Sequence, residues 1–363
     1  SDSTDTTAPD TTTESDSGTE PEEETAEPEP APEEEAEAEP EPEPEEPADD
    51  NPLDALRVPQ DFATIQEAVD AAEPGDLVLI DEGVYNESVV VETDNIVIRG
   101  VDRQTVVLDG EHSEEMANGI IVFSNGVAVE NLTVKNYFSN GVFFTGDYDS
   151  DFILRGYRVS YVNALNNRVY GIYAFNAEYG LFDNTYAAGH TDSGYYIGQC
   201  QPCNAVLSNN LSEYNTLAYS GTNAGGDLFI VNNEFRMNRI GVTPNTLNSE
   251  ELAPQRGATF AGNWIHSNGN PDTPKGGDIW ELAYGVGMVL PGANNNLVSH
   301  NLIENNRNGG VAISFMPDGD TFWSAENNTI TDNVFRGNGI DAVMVDQGGQ
   351  AGLGNCFSGN ILE

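Results

Sequence analysis

Basic residues are scarce in this chain. Its 363 residues hold 13 lysines and arginines against 61 aspartates and glutamates, a formal net charge of −48, and the only lysines are Lys135 and Lys275. Phosphate backbones are gathered by clustered Lys and Arg, so this balance excludes DNA and RNA as partners. Bare polyanions are disfavoured too, unless Ca²⁺ bridges the like charges. No apolar run approaches the roughly 20 residues of a membrane-spanning helix. Cysteine is almost missing, with Cys200, Cys203 and Cys356 the whole set. The Cys200-Gln201-Pro202-Cys203 spacing suits a small disulfide, a pair of buried thiols or half of a metal site. No second Cys pair is present to complete a four-ligand zinc centre, so no metal site is assigned.

A further absence divides the chain. Residues 1–52 contain no Lys or Arg and almost no large apolar side chain, and they include the run Glu39-Pro40-Glu41-Pro42-Glu43-Pro44-Glu45-Glu46-Pro47. Such a segment cannot bury enough apolar surface to offset its ordering entropy, and it reads as a disordered, Pro-extended acidic tether. Residues 53–363 are the expected folded body. With 23 of the acidic residues in 1–54, the remainder still sets 38 against all 13 basic ones, so the body is acidic in its own right.

What the body does have is repetition. Residues 53–76 read as a cap: Phe62, Ile65, Ala68, Val69 and Ala72 mark one face of a short helix, with Asp61 the expected N-cap and Glu73-Pro74-Gly75-Asp76 the stop. Short strands follow at Leu77–Ile80, Val89–Val91, Ile96–Ile98 and Val106–Leu108. Asn then recurs in pairs five residues apart, at Asn131/Asn136, Asn210/Asn215, Asn233/Asn238, Asn263/Asn268, Asn301/Asn306 and Asn333/Asn338. One strand aligns through the starts Gly141, Gly171, Gly194, Leu217, Gly241, Gly285 and Gly310, mostly 23 to 25 residues apart. The longest step holds an insertion around Asn270–Asp278. Short strands, tight polar corners and that period predict an all-β solenoid, a single right-handed parallel β-helix with a capping helix at its start. Asn at one corner of successive coils would stack as an amide ladder. Cys356 would then lie six or seven coils from Cys203, roughly 30 Å away and outside disulfide reach.

Several segments carry a family resemblance. Phe62-Ala63-Thr64-Ile65-Gln66-Glu67-Ala68-Val69-Asp70-Ala71-Ala72, Pro74-Gly75-Asp76, Glu82-Gly83-Val84-Tyr85 and Val107-Leu108-Asp109-Gly110 resemble the first coils of right-handed parallel β-helix repeat proteins of the pectate-lyase-like superfamily. That superfamily includes polysaccharide lyases, pectin methylesterases and NosD-like periplasmic proteins. Asp192-Ser193-Gly194-Tyr195-Tyr196-Ile197-Gly198-Gln199 resembles secreted or lipoprotein β-helix proteins of uncharacterised role. The resemblance spans about 57–363 and speaks to fold more than to chemistry. Asp151-Phe152-Ile153-Leu154-Arg155 departs from the methylesterase signature, so that activity is not carried over. The Ser/Thr/Asp/Glu-rich start resembles a mature bacterial lipoprotein just past its lipidated Cys, which implies an extracytoplasmic protein attached to a membrane only through an N-terminal lipid. The end at Asn355–Glu363 falls inside another coil, so a truncation or a cover over that end is expected.

The aligned strand suggests where function sits. With normal alternation Val142, Ile172 and Val242 point inward, and Phe143, Tyr173, Tyr196, Tyr219 and Thr243 form an outward column. Such a column stacks sugar rings, or it simply stiffens the sheet. Asp192, Asn215 and Arg239 are expected to stack beside it, with His190, Gln199, Asn223 and Asn245 near. His190, Asp192 and Arg239 are the candidates for acid/base chemistry, and the alternative is a solvated ion pair between coils. Phe143, Tyr173, Tyr196, Gln199, Tyr219, Asn223 and Asn245 are the candidate binding residues. The sequence specifies no cofactor, though Asp147-Tyr148-Asp149-Ser150-Asp151 and Asp318-Gly319-Asp320 offer the oxygen ligands that Ca²⁺ takes. The expected function is binding or processing of an extracellular polysaccharide, in the manner of a lyase or glycoside hydrolase if catalytic. The rival is a non-catalytic surface scaffold, or a NosD-like accessory in metalloprotein maturation.

Overall fold

A computed structural model describes residues 54–147, 149–345 and 352–363. The acidic segment 1–52, read as a tether, and Tyr148 of the first acidic loop lie outside the described residues.

The described chain winds through three parallel sheets of 12, 11 and 10 strands, each coil giving one strand to each sheet. The first sheet runs from Leu56–Val58 to Cys356–Ser358, the second from Gly83–Tyr85 to Ile361–Leu362, and the third from Val89–Val91 to Ala342–Val345. A parallel β-helix is the result, since a strand of this length can bury one face only by stacking on the strands of neighbouring coils. The inward columns are apolar and fully buried: Val129, Val159, Phe182, Leu207 and Ile230 in the first sheet, Val134, Ala164 and Phe235 in the second, Val142, Ile172, Tyr195, Tyr219 and Val242 in the third.

Helix α1 (Ile65–Ala71) turns Ile65, Ala68 and Val69 onto the first coils. Its N-cap is Thr64 rather than Asp61. Thr64 accepts from the Glu67 backbone N–H and Glu67 reaches back to the Thr64 N–H, a reciprocal capping box. Asp61 accepts from Arg57 N–H one turn earlier.

Two corners of the coil carry the Asn ladders. Between the first and second sheets run Asn210, Asn233, Asn263, Asn301, Asn333 and Asn360. Each of the first five gives its backbone and side-chain N–H groups to the Oδ1 of the next, at 2.9 to 3.1 Å. Between the second and third sheets run Asn215, Asn238, Asn268, Asn306 and Asn338 in the same way. The offset of five is thus the length of one second-sheet strand with its corners. Asn131/Asn136 stand one residue earlier, in the left-handed corner conformation at φ 56° and 60°, and bond Gly100 O and Asp109 instead. A third ladder, Gln255–Asn296–Asn328–Asn355, closes the remaining corner.

Candidate functional site

The third sheet presents its outer face in two parts. Its paired outward column runs Ile121, Phe143, Tyr173, Tyr196, Ser220, Thr243. The expected column therefore holds through Tyr196, slips at Tyr219 and is regained at Thr243, with Tyr196 and Thr243 buried. Ser193, not Gly194, pairs with Leu217, so Tyr219 lies level with Tyr195 and is buried in the core. Leu217 had been aligned with Gly194 because it opens the strand. The Asn215 ladder position fixes the true register one residue along, and a one-residue slip exchanges the two faces.

Phe143 and Tyr173 are half-buried and stack with ring centroids 4.2 Å apart and planes 3° from parallel. Tyr170, from the corner before the strand, packs against Tyr173 at 4.6 Å and Tyr196 at 4.9 Å. Tyr196 stands edge-on to Tyr173 at 4.8 Å. Gly198 makes this possible, because a Cβ there would come within 2.2 Å of the Tyr196 ring.

The segment 246–255 folds over this end of the sheet. The Tyr196 hydroxyl donates to Glu250 Oε1, while Glu250 Oε2 is buried without a partner among the described residues. Burial pushes the Glu250 carboxyl up to about 7, against the lowering effect of its hydrogen bonds. Burial likewise pushes Asp192 up to about 6, against the bond from Ser193 Oγ. The Tyr170 hydroxyl is raised well above its ordinary value by burial and by the nearby charges of Asp192, Tyr173 and Glu250. Two carboxyls poised near neutrality thus act on one aromatic cluster, an arrangement suited to proton exchange around pH 6 to 7.

Other expected site residues are placed differently. His190 is fully buried at the Asn-ladder position between Asn167 and Asn215. Its ring nitrogens lie 3.1 Å from the Asn167 and Ala164 carbonyls, and its N–H donates to Asn215 Oδ1. Burial pushes the imidazole down to about 4, against the effect of the two carbonyls, and the ring is sealed and unable to reach a ligand. Asn215 is a ladder residue, and Thr216 takes the expected place between Asp192 and Arg239. Arg239 grips Glu281 through Nε and Nη2 at 2.5 and 2.6 Å and lies over the Tyr284 ring. It therefore fastens the insertion that follows Asn268 rather than flanking a sugar. That insertion carries a 3₁₀ helix, Asp278–Ala283, whose Trp280 and Ala283 pack on Leu217, Ile240, Val289 and Ala312. Gln199, Asn223 and Asn245 are buried beneath segment 246–255, and the amides of the two asparagines and the Oε1 of Gln199 are taken up within the protein. Gln199 Oε1 accepts from Leu252 N–H, Asn223 holds Leu247 and Glu250, and Asn245 holds Ser220, Thr222 and Thr243. Ligand binding by these three would require the segment to leave.

Cys200 and Cys203 form a disulfide, and Cys356 is free and exposed. Asp147 serves its own turn, accepting from Asp149 N–H and Ser150 Oγ, and Asp318 accepts from Asn248. Among the described residues no three His, Cys, Asp or Glu side chains gather as a metal site. Glu250 and Tyr170 were not foreseen. The signal for Glu250 was the connection from Asn245 to Arg256, far longer than the one from Thr222 to Gly225.

The model of the right-handed β-helix region family matches residues 141–318. Two mannuronan C-5 epimerase A-modules from Azotobacter vinelandii superpose with TM-scores of 0.55 and 0.57 at 16% and 15% identity. Each match covers 82% of this chain, and 92% and 90% of the modules respectively. The catalytic domain of a GH87 α-1,3-glucanase, solved with tetrasaccharides, superposes with a TM-score of 0.51 at 12% identity, covering 86% of this chain and 70% of the domain. No curated protein sequence matches the chain. The fold is a right-handed parallel β-helix.

Proposed function

We propose that this chain binds or processes a polysaccharide across the platform of Phe143, Tyr173 and Tyr170. In the processing case Glu250 is the proton-exchanging group and Tyr196 its hydrogen-bond partner. The observation that carries this reading is the parallel, face-to-face Phe143–Tyr173 stack beside two carboxyls that burial pushes up to about 6 and 7. Flat, half-exposed rings in register suit the apolar faces of successive sugars. A carboxyl that titrates near the working pH is suited to give and take a proton. The shared fold of the epimerase modules and the glucanase supports the same ligand class. The acidity of the body favours a neutral glycan, or an anionic one bridged by Ca²⁺. A disulfide in so acidic a chain supports an extracytoplasmic setting, with the acidic N-terminal segment as its tether.

A glycan array followed by mass spectrometry of the products tests this. Tyr173→Ala should weaken binding about 10-fold, the equivalent of roughly 1.4 kcal/mol. Glu250→Gln should abolish product formation while binding persists. Binding without product from the unaltered chain would make it a binding module. An array with no bound glycan, or binding indifferent to Tyr173→Ala, would sink the platform.

A further inference from the structure

An open groove of about 730 Å³ follows the corner between the first and second sheets, away from the third sheet. It crosses five successive coils, from Tyr161 and Asn163 at one end to Gly262 and Trp264 at the other. Four coil spacings make it about 19 Å long. We propose that this groove is a second binding site, for a neutral, linear oligosaccharide. It shares no residue with the third-sheet platform, so the two readings fail separately.

The aromatic walls of the groove are fixed in advance. Trp264 is 40% exposed, stacks on His266 at 4.0 Å, and donates its indole N–H to Glu304 Oε1 at 2.9 Å. Both contacts hold the indole in place while part of it stays exposed. The Tyr186 hydroxyl donates to Glu213 Oε1 at 2.8 Å, which orients the ring along the same wall. Rings held this way lose little entropy when a sugar stacks on them.

Tyr161 stands half exposed at a corner position whose equivalents in neighbouring coils are Asn131, Asn184, Asn209, Asn232 and Gly262. The backbone there is left-handed, at φ 55°, a conformation that costs a residue with a side chain like this roughly 1 to 2 kcal/mol. Tyr179 and Tyr214 take the same conformation outside the groove, so the strain alone marks nothing. What distinguishes Tyr161 is that its ring closes one end of a groove whose other end is Trp264.

The polar groups favour hydroxyls over charges. The ladder amides of Asn210 and Asn233 are used within the corner, but the side chains of Asn209 and Asn232 are exposed and make no hydrogen bond among the described residues. Each offers a donor and an acceptor to a ligand. Arg103 donates one bond, to Asn184 O at 3.2 Å, and has no carboxylate partner among the described residues. Glu234 sits along the groove and is already matched by Arg236 at 2.7 Å. The lining holds one charged side chain of each sign, Arg103 and Glu234, so it carries no net charge, and an anionic chain would meet a strongly acidic protein.

The chain has three tryptophans, whose indole N–H signals in a ¹⁵N-correlated NMR spectrum can be assigned from Trp264→Phe, Trp280→Phe and Trp323→Phe. Cellohexaose and mannohexaose are the neutral probes and hexagalacturonate the anionic one, titrated to about 5 mM, near the weakest affinity worth calling binding. The expected result is a saturable shift of the Trp264 signal with a neutral probe and none with hexagalacturonate. Tyr161→Ala, whose folding is checked by circular dichroism, should raise the dissociation constant at least 5-fold. A Trp264 signal that stays still with both neutral probes, or that moves as readily with hexagalacturonate, overturns the proposal. So does an unchanged constant in a folded Tyr161→Ala.

Discussion

The outer faces of the second and third sheets are built on the same backbone and differ in what covers them. On the second sheet, Glu213, Arg236, His266, Glu304 and Arg336 stand in one paired column. Arg236 reaches Glu213 and Glu234, His266 reaches Glu234, and Arg336 reaches Glu304 and Glu363. These polar pairs are partly exposed. On the third sheet, segment 246–255 and the insertion carrying Trp280 fold back over the strands. There the carboxyls of Asp192 and Glu250 are driven up by burial. Regular strands give both faces register, and the loops alone decide which face has perturbed chemistry.

The largest effect should come from breaking the corner that both faces share. Asn238 accepts from the Asn215 backbone and side-chain N–H groups and donates to Ser212 O, Arg236 O and Asn268 Oδ1. Asn238→Ala leaves several buried groups unpaired, at about 3 kcal/mol for two of them. The urea midpoint should fall accordingly, and both faces should lose order together. If the third-sheet aromatics keep their near-ultraviolet dichroism while the protein is destabilised, the faces are not coupled through this corner.

A smaller effect isolates the third sheet. Asp192 and Glu250 stay protonated in the folded chain at a pH where the unfolded chain has released both protons. Stability from this source is full below the ordinary carboxyl range and falls as pH rises toward about 7. Glu250→Gln removes the Glu250 share of that dependence. The melting temperature of the variant should therefore vary less between about pH 5 and 8, and should exceed that of the unaltered chain at the upper end. Parallel pH profiles for the two proteins would show that Glu250 is not held protonated by burial.

The sequence shows the fold better than the site for a physical reason. The Asn pairs, the Gly-started strands and the coil period are local and repeated, so each copy corrects the reading of the others. Tyr219 shows the limit. One leucine at the head of its strand suffices to shift the alignment by a residue and turn a core side chain outward on paper. His190 shows another limit, because a histidine in a ladder of asparagines looks like chemistry and acts as a corner. Glu250 lies in an irregular segment with no repeat to place it, and its burial depends on where that segment lands. Phe143 and Tyr173 keep their expected outward register, which neighbouring coils could check.

The smallest predicted effect tests whether the second sheet is as ordinary as its charges suggest. Arg236→Met keeps most of the side-chain stem packed on the sheet and removes only the guanidinium. Glu213 still accepts from the Tyr186 hydroxyl, and Glu234 keeps His266, so no carboxylate is left without a partner. A partly exposed pair of this kind is worth up to about 1 kcal/mol, and salt screens it. The urea midpoint should drop slightly in low salt, and the difference from the unaltered chain should shrink in about 1 M NaCl, where the screening length is roughly 3 Å. A loss that is several times larger, or one that salt leaves untouched, would mean that this column is a buried network like that of the third sheet, and the contrast between the two faces would fail.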